Sequence, residues 1–172
     1  YSNDWNGTVS GLAADDRSGV AGVELSIQKD GQYWNGSGWQ AEEFRVNATG
    51  DVLWSFNFPL SELAEGTYAI KSHAVDNAGN VENTDTLTIV FDKTIPEVTL
   101  AIEPRNPNGD NDWYVSHPEI SLSANDNFAL EKIEYQIDST SGTWNTYSAP
   151  IKIDDGRHVF YYRSIDKAGN MS

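Results

Sequence analysis

Leu12-Ala13-Ala14-Asp15-Asp16, with Val23, Ile27 and Trp34 after it, is answered by Leu122-Ser123-Ala124-Asn125-Asp126, Ile133, Ile137 and Trp144 at a constant offset of 110 residues. Asp76-Asn77-Ala78-Gly79-Asn80 returns as Asp166-Lys167-Ala168-Gly169-Asn170 at an offset of 90, so the first copy holds 20 more residues between its Trp and its penultimate strand. Self-similarity at this period marks a tandem repeat of domain-sized modules. The repeat divides the 172 residues into 1–93 and 94–172, each long enough to bury a core of its own.

Period-2 alternation of apolar and polar residues dominates both copies, and long stretches with helical apolar spacing are missing, so the fold class is all-β. The pattern predicts strands in the first copy near Thr8 to Ala14, Val20 to Gln28, Glu42 to Val46, Val52 to Phe58, Thr67 to Val75 and Thr84 to Phe91. The second copy reads as Pro96 to Glu103, Glu119 to Ala124, Leu130 to Asp138, Thr143 to Thr146, Ile151 to Ile153 and Arg157 to Ile165. Turn signals at Lys29-Asp30-Gly31, Glu65-Gly66, Ser141-Gly142 and Asp155-Gly156 separate them at the intervals of a β-sandwich, and Pro59 to Leu63 suits one helical turn.

Twenty-six acidic against 11 basic residues leave a formal charge of −15, which repels phosphate backbones and anionic lipid headgroups and argues against a nucleic-acid partner. There is no cysteine, so disulfides, thiolate metal sites and thiol catalysis are excluded together. No apolar run approaches the ~18 residues of a membrane helix, so direct membrane insertion is not expected. With Tyr1 at its start and no signal segment before the globular pattern, the chain reads as a piece of something larger.

Gly66-Thr67-Tyr68-Ala69-Ile70 places a tyrosine two residues before an inward apolar position, the spacing of the tyrosine corner in immunoglobulin-like sandwiches. In the second copy His158 replaces the tyrosine and Phe160 the isoleucine, which puts that corner hydrogen bond in doubt there. Together with the Val9 to Ile27 pattern, the Phe91 to Pro96 linker, Trp113-Tyr114 with Pro118, and Trp144-x-x-Tyr147-x-x-Pro150, these motifs give a chain that resembles the Ig-like repeats of large bacterial and archaeal surface and secreted proteins. The resemblance implies two tandem Ig-like β-sandwiches in an extracellular or cell-surface setting, and it says little about function.

Relative to each other, the first copy lacks the opening strand that Pro96 to Glu103 supplies to the second, and the second lacks the closing strand that Thr84 to Phe91 supplies to the first. An unpaired edge invites other strands, so neighbouring repeats or another subunit are expected to complete both sheets. The linker is too short to give much slack: three residues extend to roughly 10 Å at most. Pro96 fixes its own φ and biases Ile95 toward extended backbone, so a preferred angle between the modules is expected.

No catalytic constellation stands out. His73, His117 and His158 have neither metal-ligand spacing nor a neighbouring nucleophile, and the carboxylates are too plentiful for one pair to mark itself as acid and base. The chain is therefore read as non-enzymatic.

Calcium is the sharper expectation. The ion takes six to eight oxygen ligands, and the loops carrying Asp126-Asn127 and Asp166 cluster at the end of the second sandwich that receives the linker with Asp92. Asp92, Asp126, Asn127 and Asp166 are thus the candidate ligands of an interdomain Ca²⁺, and Asp15, Asp16 and Asp76 occupy the equivalent end of the first repeat. The competing reading needs no metal, because aspartates in such loops accept hydrogen bonds from the turn's own amides.

Trp39, in Tyr33-Trp34-Asn35-Gly36-Ser37-Gly38-Trp39-Gln40, is the candidate for carbohydrate stacking, against a packing role for the same aromatics. Sequons at Asn6, Asn35, Asn47 and Asn170 matter only in a source that glycosylates asparagine. The functional expectation is a structural spacer of the adhesin or surface-layer type. Alternatives are a binding or accessory module of a secreted enzyme, recognising a glycan or a protein receptor, and a self-assembling surface-layer or filament subunit completed by strand exchange.

Overall fold

The computed structural model describes residues 1–82 and 86–172. The chain forms two compact units, Tyr1–Asp92 and Lys93–Ser172. The first contains β1 (Thr8–Leu12), β2 (Val20–Lys29), β3 (Gln32–Trp34), β4 (Trp39–Gln40), β5 (Val46–Asn47), β6 (Leu53–Asn57), β7 (Gly66–Asp76) and β8 (Thr86–Phe91). The second contains β9 (Glu97–Glu103), β10 (Glu119–Asn125), β11 (Leu130–Ile137), β12 (Asn145–Thr146), β13 (Ile151–Lys152) and β14 (Phe160–Asp166).

In the first unit β1 and β6 make one sheet, and β4-β3-β2-β7-β8 makes the other, with β5 added to β2. Val23, Leu25 and Ile27 alternate along β2 and point into the interior, where Trp34, Trp54, Phe58, Tyr68, Ile70 and Phe91 meet them. Burying each aliphatic side chain contributes about 1.5–3 kcal/mol. The second unit pairs a β13-β10-β9 sheet with a β12-β11-β14 sheet. Its core is smaller: Ile120, Leu122 and Ile153 are buried, with Ile102, Ile133, Tyr135, Tyr147, Ile151 and Phe160 partly so.

The duplication read from sequence extends to backbone irregularities. The β2–β7 ladder slips between Val20 and Gly22 beside Asp76, and the β11–β14 ladder slips between Leu130 and Lys132 beside Asp166. Both hairpins then close alike, since the amide of Asp76 donates to the carbonyl of Asn80 at 3.0 Å and that of Asp166 to the carbonyl of Asn170 at 3.2 Å. Gly79 (φ 88°) and Gly169 (φ 93°) hold the left-handed turn position, which a residue with a Cβ rarely adopts.

Several strands are shorter than the alternation predicts. Of the segment Glu42 to Val46 only Val46 is paired, in β5 (Val46–Asn47), pairing covers only Asn145–Thr146 of the segment from Thr143, and β14 begins at Phe160 rather than Arg157. The predicted strand from Thr84 begins outside the described residues, and β8 runs Thr86–Phe91. The pair β3–β4 was not predicted: Asn35 Oδ1 accepts from the amides of Ser37 and Gly38 at 3.0 and 2.9 Å, turning a polar loop into a hairpin. The predicted helical turn is a 3-10 turn at Leu60–Glu62.

At the edges, Ser2 makes a single parallel bridge to Phe91, with its amide donating to the Val90 carbonyl at 2.9 Å. Among the described residues no strand pairs with β14 on the side away from β11. No helix among them is long and apolar enough to cross a membrane.

Candidate metal centre

The loop between β10 and β11 and the hairpin after β14 meet at one end of the second unit, because the Lys167 amide donates to the Ala129 carbonyl at 2.8 Å. Asp126 Oδ2 caps its own loop, accepting from the amides of Phe128 and Ala129 at 2.9 and 2.8 Å. Its Oδ1 is buried and has no hydrogen-bond partner among the described residues. Asp166 is only 2% exposed and binds its hairpin, accepting from the Asn170 amide at 2.8 Å and the Asn170 side chain at 2.7 Å. Asp126 and Asp166 bring carboxylate oxygens within 4.8 Å of each other.

Two carboxylates at that separation repel by about 3 kcal/mol at an effective dielectric of 20. Each oxygen has two lone pairs, so the hydrogen bonds to the turns leave acceptor capacity on the carboxylates, most plainly on Asp126 Oδ1. A hard cation with oxygen preference removes the repulsion and uses that capacity. Asn127 is exposed on the same loop. Asp92 is fully buried at the end of β8 in the first unit, where its amide donates to the Ser2 carbonyl at 2.9 Å.

The first unit resolves the same geometry with a hydroxyl. Asn77 donates its amide to the Gly19 carbonyl at 3.0 Å, as Lys167 does to Ala129, so Ser18 stands where Phe128 stands in the second unit. Ser18 Oγ lies 2.9 Å from Asp76 Oδ2 and 3.3 Å from Asp15 Oδ2, between the two carboxylates. Asp76 also accepts from the side chain and amide of Asn80 and from the amide of Ala78, and these bonds, led by the Asn80 side chain, hold its pKa down to about 2. Asp15 caps the loop through the amides of Arg17 and Ser18, while Asp16, the residue aligned with Asp126 by the repeat, is exposed.

The tyrosine corner is present in the first unit: Tyr68 is fully buried, its hydroxyl donates to the Ala64 carbonyl at 2.7 Å and accepts from the Ala64 amide at 3.1 Å. In the second unit His158 takes a different partner, with Nδ1 2.8 Å from Asp138 Oδ2. That hydrogen bond raises the pKa of His158 and lowers that of Asp138. Asp138 Oδ1 also accepts from the Val159 amide at 2.9 Å, a pairing that the sequence reading missed.

Trp39 packs rather than standing free, with ring contacts at 5.6 Å to Trp34, 5.8 Å to Phe58 and 6.3 Å to Tyr68. Trp34 and Trp144, which the repeat aligns, take different surroundings. Trp34 is buried, whereas Trp144 is partly exposed beneath the Arg163 guanidinium, 4.1 Å from its ring centroid. Arg163 is itself held by the buried Glu134, whose Oε2 accepts from it at 2.7 and 2.9 Å, a partly buried pair that no sequence motif announced.

The three histidines bind separate partners: His73 Nδ1 lies 3.2 Å from the Glu82 carbonyl, His117 Nδ1 lies 2.9 Å from that of Ile153, and His158 sits on Asp138. Of the sequons, Asn6 and Asn47 are exposed, while the side chains of Asn35 and Asn170 donate to Gln40 and Asp166.

Residues 20–93 match the family model of the bacterial Ig-like domain. No curated protein matches the chain. Among solved structures it is similar to the Clostridium thermocellum CbhA fibronectin(III)-like modules, at 13% identity and a TM-score of 0.43, over 97% of this chain and 81% of that one.

Proposed function

We propose that this chain, whose residues 20–93 match the family model of the bacterial Ig-like domain, is a non-catalytic structural spacer in a larger extracellular or surface-attached bacterial protein. The observation that carries this reading is the frame built twice, with the same bulge and the same hairpin closure, while the polar side chains of that frame are used to hold loops to strands. Among the described residues no nucleophile, general base and orienting group converge. The acidic surface keeps such a module soluble and free of nucleic acid.

A swap in the parent protein tests the role. Replacing residues 1–172 by two unrelated sandwiches of equal length leaves the parent's surface display and ligand binding unchanged if this segment is a spacer. Loss of binding with display intact would instead identify it as a binding module.

Calcium is the second element of the proposal. The paired carboxylates of Asp126 and Asp166, with Phe128 at the position from which Ser18 supplies a hydroxyl in the first unit, favour a divalent ion at that end of the second unit. Asp92, assigned by the sequence as a further ligand, is tested by Asp92→Asn, which weakens Ca²⁺ binding if its carboxylate contributes. Bound calcium would fix the loop after β10 against the hairpin after β14 and stiffen that end of the module.

A further inference from the structure

Glu24 on β2 stands directly opposite His73 on β7, and the repeat carries these two residues onto Glu134 and Arg163, which stand opposite each other on β11 and β14. Val23, Leu25 and Ile27 point into the core, so Glu24 and His73 share the outer face of their sheet. The strand added beside β2 follows the same plan. Val46 of β5 lies opposite Leu25 as Asn145 of β12 lies opposite Tyr135, which gives Arg45 and Trp144 the same station. Each unit thus sets a carboxylate between one guanidinium and one ring, but the two flanking groups have exchanged strands.

The carboxylates are held differently. Arg163 donates to Glu134 at 2.7 and 2.9 Å while its guanidinium stacks on Trp144. Arg45 reaches Glu24 as an ion pair at 3.6 Å, with both side chains partly exposed. His73 is only 4% exposed. Its Nδ1 lies 3.2 Å from the Glu82 carbonyl, which can only accept, so Nδ1 carries the hydrogen and Nε2 is left as an acceptor. That Nε2 is buried with no hydrogen-bond partner among the described residues. The charged side chains around the ring are Glu24 across the ladder, Arg45 on Glu24, and Lys71 two residues earlier on β7. Glu82 is exposed after the hairpin, and Asp85 lies outside the described residues.

We infer that His73 and Glu24 are a proton-operated counterpart of the Arg163–Glu134 pair. A proton on Nε2 turns an unused acceptor into a donor, and the imidazolium draws the Glu24 carboxylate away from Arg45 and across the β2–β7 ladder. Loss of the proton returns Glu24 to Arg45, the residue that leads into β5. Burying a charge is costly unless it is paired, and the second unit shows that this station accepts a charged pair, because Glu134 is 5% exposed and still takes Arg163. The folded form gains a bond on protonation, so the stabilisation is present on the acid side of the imidazole range and is lost as the pH rises through it. His73 is the one histidine in residues 1–92, so the first unit has no other imidazole to supply this response.

Nuclear magnetic resonance on the 172-residue protein between about pH 8 and 5.5 tests it, reading the His73 ring nitrogens, the Glu24 carboxyl carbon and the Arg45 Nε–H. All three should move along one titration curve, with the Nδ1–H form of His73 giving way to the imidazolium. Over that range the unfolding constant of the first unit, read from β2 and β7 amide signals in denaturant, should fall by about three- to tenfold. Glu24→Gln should abolish that fall, and His73→Arg, which holds Glu24 at every pH, should do the same. A His73 that stays neutral throughout, a titration that leaves Glu24 and Arg45 unmoved, or a first unit destabilised by the acid overturns the inference.

Discussion

The hydroxyl of Ser18 lies 2.9 Å from Asp76 Oδ2, and in the second unit Phe128, which has no hydroxyl, occupies the corresponding position. One neutral donor thus bridges a pair of carboxylates in one repeat, while the other repeat leaves Asp126 and Asp166 to face each other. Phe128→Ser should put the missing donor back. In chelator the variant's second unit melts higher than the wild type, and the extra stability that Ca²⁺ gives shrinks. Thermal melts with and without Ca²⁺ read both effects, and an unchanged calcium increment would disconnect the hydroxyl from the ion.

Ser18→Ala removes the same bridge from the first unit. The loss should be about 1–2 kcal/mol, because two carboxylates are left with one donor fewer. Denaturant unfolding monitored through the buried Trp34 measures it, with the second transition unaffected.

Acid unfolding of the first unit should follow Asp76. Its folded pKa of about 2 lies below the ordinary 3.8, so its contribution is present in full above about pH 4 and is lost as the pH falls toward 2. Asp76→Asn flattens that stretch of the stability profile. A profile unchanged by the substitution would show that the hairpin bonds do not distinguish the charged form.

In the second unit the sign is reversed for His158. Its pKa is raised by Asp138, so the stabilisation is present below the ordinary value near 6.5 and is lost as the pH rises through the raised one. Melts of the second unit should fall in temperature across that window, and Asp138→Asn should abolish the dependence. Persistence of the slope in the variant would place its origin elsewhere.

The two aligned tryptophans separate packing from surface contact. Trp34→Ala should cost about 3–5 kcal/mol, as expected when a large aromatic is removed from a core. Trp144→Ala loses a stack with Arg163 worth about 0.5–2 kcal/mol. Equal losses would restore the equivalence that the repeat suggests.

Much of this architecture was legible in the chain. Alternation along Val23, Leu25 and Ile27 located a core strand because one face of it is fully buried, and Tyr68 announced its corner through a fixed spacing to Ile70. The Asp-x-Ala-Gly-Asn motif located both hairpins because each Asp binds the amide of an Asn four residues on. What escaped were features set by contacts between distant segments. Trp144 aligns with Trp34 but meets Arg163 across the sheet instead of a core, and Asp138 reaches His158 twenty residues away. The difference between Ser18 and Phe128 was readable, yet only the geometry shows that this position decides how a carboxylate pair is neutralised.

Isothermal calorimetry with Ca²⁺ on the wild type and on Asp126→Asn tests the central claim most directly. The account predicts saturable heat from a site in the second unit, lost in the variant while its circular dichroism remains that of the wild type. Absence of heat at millimolar Ca²⁺, or the same isotherm from both proteins, would contradict it.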